Sequence, residues 1–259
     1  AYRSILRQKI YSLINILGLA IGLASSILIT MFIVHELSYD RFHSKSSQIY
    51  RLCVLGRIGE QNMNMAFTAM PTAEAFTREF PEIINACRMD LRNNIYFRYG
   101  ETNFIEDNMM WVDSSFFNIF DFKLLSGHPD QVLTEPNTIV LTEEMANKYF
   151  GDEDPVGKSI AVFNDSSLYK VTGVAENCPE NSHMEFNFLV SFHSRGDADR
   201  TIWLSHNVHT YFLLTPEADV ELLTEKIQPV MLKYVGPEVV QFLGVEVDQW
   251  EAEGNRYGM

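Results

Sequence analysis

The chain has 259 residues, of which 46% are hydrophobic and 12% aromatic, and it carries 34 acidic against 20 basic residues. This apolar and aromatic content supports a packed core and argues against a disordered chain, which combines low hydrophobicity with high net charge. A net charge of −14 without a cluster of Lys and Arg argues against nucleic acid as a partner, because phosphates repel an acidic surface.

The first part of the chain contains an apolar run from Leu13 to Val34 without an ionisable group. A helix rising about 1.5 Å per residue needs roughly 20 such residues to cross the hydrocarbon layer of a bilayer. A signal peptide has a shorter apolar region of about 7–15 residues and then a small-residue cleavage site. This run continues instead into HELSYDRFH, so that the sequence predicts an uncleaved transmembrane helix at 13–34.

The charges that flank this span predict its orientation. Arg3, Arg7 and Lys9 precede it, whereas Glu36 and Asp40 follow it, and cationic flanks stay in the cytoplasm. The rest of the chain, with 17 of the 20 basic residues and all 34 acidic ones, then carries a charge of about −17 outside the cytoplasm. Its length of about 225 residues fits one large domain or two small ones, at about 100–200 residues per domain.

Residues 1–12 have the pattern of an amphipathic helix that lies along the cytoplasmic membrane surface. Tyr2, Ile5, Leu6 and Ile10 share one helical face, although Lys9 falls inside this apolar arc. The alternative is that the basic residues of this segment only set the topology.

Within the span, Gly18 and Gly22 form a GxxxG motif, and Ser26 and Thr30 continue the same four-residue spacing. Small side chains let a second helix approach closely in lipid, where no hydrophobic effect holds helices together. We therefore predict that Gly18, Gly22 and Ser26 pack against a partner helix. The alternative is that small residues are merely tolerated there.

The pattern beyond the span mixes helices and strands without a regular βαβ alternation, which predicts an α+β domain. In chain order, it predicts a helical extension through about Phe42, a strand at 49–58, a helix from Pro71 or Thr72 to Pro81, a short helix within VDSSFFNIFDF (112–122), a strand followed by a helix capped by Thr142 and ended by Gly151, strands at 159–163 and 169–175, a loop at 177–185, strands at 186–192 and 208–215, and a last helix at 219–235 with a kink or break at Pro229.

The motif GDEDPVGKS at 151–159 ends like a phosphate-binding loop, whose pattern is GxxxxGK[ST]. Five residues rather than four separate Gly151 from Gly157, the segment follows a predicted helix, and its three carboxylates would repel phosphates. We interpret this segment as a helix-to-strand turn.

The histidines and cysteines do not form a recognisable site. His206 and His209 have the i, i+3 spacing of zinc ligands on a helix, and HME at 183–185 would add a carboxylate. The segment from Val208 is predicted as a strand, however, where an odd spacing sends side chains to opposite faces. The sequence also contains no GxSxG or HExxH motif. We therefore predict no catalytic residue, no metal site and no cofactor on this chain.

The three cysteines, Cys53, Cys87 and Cys178, are too far apart for a CxxC metal or redox site. At most one internal pair can form. We expect all three to be small buried side chains.

The segments INILGLAIGLA (14–24), HELSYDRFH (35–43), IYRL (49–52), FPEI (80–83), VDSSFFNIFDFKLLSG (112–127), NTIVLTEEMANKYFGDEDPVGKSI (137–160) and YKVTGVAENCPENSHMEFNFLVSF (169–192) cover much of the chain. In their order and spacing they resemble the N-terminal part of MacB/FtsX-type ABC transporter permeases, in the form common in Bacteroidetes-like bacteria. The resemblance extends over nearly the whole sequence.

The resemblance implies that the transmembrane helix enters a MacB-like periplasmic domain at 35–259, which consists of a mixed α/β part and an inserted β-rich subdomain. It also implies that this chain is a fragment, with the remaining permease spans beyond its C-terminus, and that the protein lies in the bacterial inner membrane. ATP and Mg would bind a separate cytoplasmic ABC ATPase subunit.

The further partners that the resemblance implies are a second permease copy or homologue and a periplasmic adaptor or outer-membrane protein. The substrates of relatives are antimicrobial peptides, toxins and lipoproteins.

On this basis we expect a continuous helix from the membrane through HELSYDRF to act as a stiff rod that carries movement into the acidic domain. The residues of this stalk are Glu36, Leu37, Tyr39, Asp40 and Phe42. One alternative is that these residues only cap the helix and anchor it at the membrane surface. A different functional class is also compatible with the sequence, namely a single-span anchored sensor or binding module without an ATPase.

Overall fold

The computed structural model describes residues 9–58, 60–162, 167–252 and 256–258. Its first helix, α1, spans Lys9–Glu36, and an 18-residue stretch of it has a mean hydropathy of 2.4 and no buried side chain. By length and composition this helix can cross a membrane. The helix predicted at 13–34 lies within α1, whereas most of the predicted interfacial helix at 1–12 falls outside the described residues.

Beyond α1 the described residues form five α-helices and fifteen strands. The helices are α2 (Thr72–Glu79), α3 (Phe116–Ile119), α4 (Glu143–Phe150), α5 (Val220–Leu243) and α6 (Val247–Ala252). The strands are β1 (Ile49–Arg51), β2 (Val54–Ile58), β3 (Gln61–Met65), β4 (Thr68–Ala69), β5 (Ile83–Arg92), β6 (Ile95–Tyr99), β7 (Thr102–Glu106), β8 (Met109–Val112), β9 (Leu124–Ser126), β10 (Thr138–Thr142), β11 (Ser159–Val162), β12 (Ser167–Ala175), β13 (Phe188–Ser191), β14 (His206–Leu214) and β15 (Arg256–Gly258).

Twelve of these strands form one mixed sheet. Its order is β1-β14-β5-β8-β13-β10-β12-β11-β6-β7, with β4 beside β14 and β9 beside β12. The pairs β10–β12 and β8–β13 are parallel, and the other pairs are antiparallel. The strands β15, β2 and β3 form a separate antiparallel sheet.

The helices cover this sheet and build two apolar cores. In the first core, Met145 and Tyr149 of α4 pack with Ile139 of β10 and Phe188 of β13. In the second, Phe76 of α2 packs with α5 and with the strands β5 and β14. Apolar burial, the largest favourable term in folding, thus holds these helices against the sheet.

The helix α4 begins and ends where the sequence predicts. Thr142 has an extended backbone, and its Oγ1 accepts a hydrogen bond from Met145 N at 3.5 Å, which caps the first turn. Glu143 and Glu144 lie in that turn, where the helix dipole favours carboxylates. Gly151 ends the helix with a φ of 59°.

Two predicted elements differ from the structure. The strand predicted at 49–58 is divided at Leu52 and Cys53, because β1 pairs with β14 while β2 pairs with β3 in the smaller sheet. The helix α5 continues past Pro229 and Pro237 instead of ending near residue 235. Proline removes a helix hydrogen bond, but buried side chains such as Met231, Val235 and Val239 hold this helix in the second core.

The predicted fold class, one N-terminal apolar helix and a mixed α/β domain, is confirmed. By contacts, the chain consists of two compact units. Unit 1 is Ala1–Phe42 with Pro179–His183, and unit 2 is His43–Cys178 with Met184–Met259. The division of residues 35–259 into two subdomains stays a prediction.

Candidate functional site

The small residues of the span form an open stripe on α1. Ser26 Oγ donates to Gly22 O at 2.9 Å, and Thr30 Oγ1 donates to Ser26 O at 2.8 Å. A Cβ added at Gly18 or Gly22 would meet no atom within 4 Å outside the helix. The hydroxyls therefore bond to the helix itself, and the stripe leaves room for the close approach of another helix. The packing role of Gly18, Gly22 and Ser26 stays a prediction.

The predicted stalk does not continue as a helix. α1 ends at Glu36, and the residues from Leu37 to Phe42 form successive turns. Asp40 has a φ of 58°, in the left-handed region that L-residues seldom adopt. Its N–H donates to Asn181 O at 2.9 Å instead of to a helix carbonyl. The prediction of a continuous helical rod through Phe42 is therefore wrong, because a distant segment of the chain takes over the backbone hydrogen bond.

The other side chains at this helix end are arranged locally. Ser38 Oγ donates to His35 O at 2.7 Å, and the ring of Tyr39 stacks on the His35 ring with 5.4 Å between centroids. The side chain of Leu37 is 57% exposed.

Four residues of unit 1, Ser38, Asp40, Asn181 and His183, form a set of contacts that we call the clasp. Asn181 Nδ2 donates to Ser38 O at 2.9 Å, in addition to the backbone bond between Asp40 and Asn181. His183 N donates to Asp40 Oδ1 at 3.1 Å, and His183 Nδ1 lies 2.7 Å from Asp40 Oδ2. The clasp thus joins the end of α1 to the loop between β12 and β13.

Unit 2 contains an aromatic cluster directly after the stalk. We use this name for His43, Phe116, Phe120, Phe122 and Phe186. The His43 ring is 5.4 Å from the Phe120 ring and 5.3 Å from the Phe122 ring, and the Phe122 and Phe186 rings are 4.9 Å apart. His43 is only 3% exposed, and its Nδ1 accepts a hydrogen bond from Asp121 N at 3.0 Å. The first residue of unit 2 is therefore fixed in a packed core.

The sequence profile of the MacB-like periplasmic core domain matches residues 12–230. The chain belongs to this family. A comparison with curated proteins gives no significant match. Solved structures share the fold of the MacB-like domain, as expected from the resemblance of the sequence.

Two of these structures illustrate the likeness. A domain of a protein assigned as a permease from Porphyromonas gingivalis is 21% identical, with 83% of this chain and 90% of that chain covered and a TM-score of 0.70. The periplasmic region of MacB from Actinobacillus actinomycetemcomitans is 14% identical, with 76% and 88% covered and a TM-score of 0.53. At these identities the likeness shows the fold of the MacB-like domain.

The MacB-like domain also contains a cavity of about 550 Å³ beside α2 and β5 that the sequence did not reveal. Arg88, one of its lining residues, makes a bidentate pair with Asp113, with Nη2–Oδ1 at 2.8 Å and Nε–Oδ2 at 3.0 Å. Its Nη1 donates to Ala198 O at 3.0 Å. The guanidinium therefore donates to a carboxylate and to a carbonyl. Its pair with Asp113 connects β5 to the segment before α3.

The motifs that resemble a nucleotide-binding or metal site take part in contacts within the fold. Lys158 of GDEDPVGKS pairs with Glu153, and Gly157 N donates to Val171 O at 2.8 Å, so that this segment is the predicted helix-to-strand turn. His209 lies on the strand β14, and its Nδ1 is 2.9 Å from Ala66 O. Within the described parts of the chain, His, Cys, Asp and Glu form no group of three or more that could hold a metal ion.

All three cysteines are unpaired thiols. Cys87 is buried as expected, whereas Cys53 and Cys178 are half-buried. Burial raises the pKa of the Cys87 thiol well above its ordinary value, and burial also raises the pKa of Cys178. Since the thiolate is the reactive form, both groups are poor nucleophiles.

Proposed function

We propose that this chain is part of a permease subunit of an ABC transporter in the bacterial inner membrane. In this proposal a separate cytoplasmic ATPase binds ATP and Mg, and the periplasmic domain moves in response to ATP hydrolysis. The observation that carries it is the continuity of the apolar helix with the MacB-like domain, since the family match begins at residue 12, inside α1. An anchored sensor would carry a cytoplasmic signalling domain in place of an ATPase partner.

The geometry of α1 supports such a mechanical role. With 28 residues at about 1.5 Å each, it is about 42 Å long, more than the hydrocarbon layer of about 30 Å. Movement of this helix would reach the periplasmic side at Glu36, where α1 ends. The turns at 37–42 and the clasp would then carry it further.

The proposed transport classes are export or extraction of an antimicrobial peptide, a toxin or a lipoprotein. The charge of about −17 beyond the span would attract a cationic peptide. A second permease copy or homologue would complete the membrane part, and a periplasmic adaptor or outer-membrane protein would continue the path.

The first experiment tests the partner and the topology. The intact permease is purified from membranes under mild conditions, and its co-purifying proteins and ATP hydrolysis are measured. An ABC ATPase in stoichiometric amount supports the proposal, whereas purification without ATPase activity contradicts it. In the same cells, a maleimide that cannot cross the inner membrane should label Glu101→Cys, an exposed position between β6 and β7, in spheroplasts.

The second experiment tests the stripe. Gly18→Leu with Gly22→Leu should lower the ATP hydrolysis rate of the purified complex several-fold, because leucines keep a neighbouring helix at a distance. Ala20→Leu with Ala24→Leu is the matched control, since it has the same spacing and lies about 200° away around the helix. Equal rates for both double variants would refute a packing role of the stripe.

A further inference from the structure

The clasp changes how unit 1 is connected to unit 2. Without the segment Pro179–His183, unit 1 would be joined to unit 2 by one peptide bond, between Phe42 and His43. With this segment held in unit 1, the bonds Cys178–Pro179 and His183–Met184 also join the two units. Unit 1 therefore has three peptide connections to unit 2, and the hydrogen bonds of the clasp attach two of them to the helix end.

The residues on both sides of the segment Pro179–His183 are fixed within unit 2. Phe186 N donates to Cys178 Sγ at 3.4 Å, which ties the two sides of the loop together. Met184 is 4% and Phe186 2% exposed, and the Phe186 ring packs in the aromatic cluster. Asn187 N then donates to Asn108 O at 2.8 Å, directly before β13 begins. A displacement of the loop would thus act on buried groups next to the central strands β12 and β13.

The remaining connection, the bond between Phe42 and His43, leads into the same aromatic cluster. The centroids of the His43 and Phe122 rings are 5.3 Å apart, and those of the Phe122 and Phe186 rings are 4.9 Å apart. These ring contacts connect the first residue of unit 2 to the residues that follow the loop segment. The contacts come from segments far apart in sequence and use one packed group of aromatic side chains. Close-packed cores transmit strain rather than absorb it.

We propose that the clasp is the joint that transmits movement of the membrane helix to the periplasmic sheet, with Asp40 as its positioning residue. This inference rests on the proposed function. Asp40 supplies both carboxylate oxygens and its N–H to the clasp, and it does so from a left-handed backbone conformation. When the clasp is closed, three connections restrict the joint. When it is open, the helix is free to swivel at residues 42 and 43.

The clasp is built to open. The side chains of His183 and Asp40 are 41% and 32% exposed, and pairs in contact with water are weak. A left-handed φ at a residue other than glycine also disfavours the closed backbone. The contact between Asp40 and His183 in the closed form is therefore accessible to solvent.

The test measures the freedom of the joint in the full-length permease, with native cysteines including Cys53, Cys87 and Cys178 replaced. Spin labels at Leu37→Cys in unit 1 and Glu101→Cys in unit 2 report the distribution of distances by pulsed electron resonance. Asp40→Gly removes the carboxylate contacts without strain at a positive φ. Asp40→Asn keeps one acceptor oxygen and tolerates the left-handed conformation.

Glu180→Gln is the matched control, because it removes one negative charge from the exposed part of the same loop. Asp40→Gly is expected to widen the distance distribution at least twofold, Asp40→Asn to widen it less, and Glu180→Gln to leave it unchanged. Unchanged widths in all three variants would overturn the proposal, as would equal widening by Glu180→Gln. Tryptophan fluorescence confirms that each variant has a folded periplasmic domain.

A disulfide tests the same contact independently. Ser38→Cys with Asn181→Cys should cross-link under mild oxidation at several times the yield of Tyr39→Cys with Asn181→Cys, because the Tyr39 ring stacks on His35. Equal yields would contradict the clasp. These measurements need neither nucleotide nor cargo, so that a failure of the clasp is distinct from the absence of an ATPase, which would contradict the proposed function.

Discussion

The largely buried pair of Arg88 and Asp113, with only 16% and 15% of the side chains exposed, allows a quantitative prediction for the MacB-like domain. The carboxylate accepts two bonds from the guanidinium and a third from Arg88 N at 2.7 Å. Asp113→Ala would leave the guanidinium buried without its counter-charge and the Arg88 N–H without its acceptor. Burial disfavours the charged guanidinium, while Asp113 raises the pKa of Arg88.

The magnitude follows from the cost of an unpaired buried charge. Removing one partner of a buried ion pair costs about 3–5 kcal/mol, which is two to three orders of magnitude or more in the ratio of folded to unfolded protein. An exposed pair gives the matched comparison. Lys123 and Glu176 are 67% and 46% exposed, so that Glu176→Ala should cost no more than about 1 kcal/mol.

The assay is urea unfolding of the chain in detergent, followed by tryptophan fluorescence. All three tryptophans, Trp111, Trp203 and Trp250, are buried in unit 2, so that the signal reports the periplasmic domain rather than the span. Arg88→Met with Asp113→Leu should be less destabilised than Asp113→Ala, because no lone charge remains buried. The reasoning is refuted if Asp113→Ala costs as little as Glu176→Ala.

Two further predictions concern the same domain and use the same assay. Gly127→Ala should lower the free energy of unfolding by about 2 kcal/mol or more, since φ is +97° and the new Cβ would lie 2.8 Å from Thr172 O; Gly151→Ala, with positive φ but open space, should cost less. Burial lowers the pKa of His206 below 6.5, although Glu238 has the opposite effect. As the pH falls, the imidazole is therefore protonated in the unfolded chain before it is protonated in the folded one, and the free energy of unfolding decreases below about pH 6.5. His206→Gln should reduce the loss of stability between about pH 7.5 and about pH 5, and an unchanged loss would contradict this assignment.

Local signals in the sequence accounted for the elements whose ends are set by neighbouring residues. Thr142 and Gly151 mark α4 through capping chemistry, and the unpatterned segment at 177–185 is a loop as predicted. The hairpin of β6 and β7 escaped prediction although Gly100, with a φ of 58°, marks its turn. This signal was available in the sequence.

The candidate site was predictable only in part. The apolar run and the small-residue stripe are patterns within one helix, and they identify α1 directly. The clasp depends on Asn181, which lies about 140 residues after Asp40 and accepts its N–H. No periodicity around HELSYDRF indicates this partner, and the local pattern favoured a helix. The aromatic cluster likewise required His43 and Phe186 to meet through the fold.

The order of strands in the large sheet has a consequence for biogenesis. Among the described strands of that sheet, β1 pairs with β14 alone, and Ile49 meets Leu213, about 160 residues later. β14 also pairs with β5, so that β1 lacks its partner in this sheet, and β5 one of its two partners, until this late segment has been made. Non-local pairing of this kind folds slowly and exposes strand edges in the meantime. In the proposed topology α1 is anchored in the bilayer, and the chain beyond it must then stay soluble beside the membrane until β14 has been made.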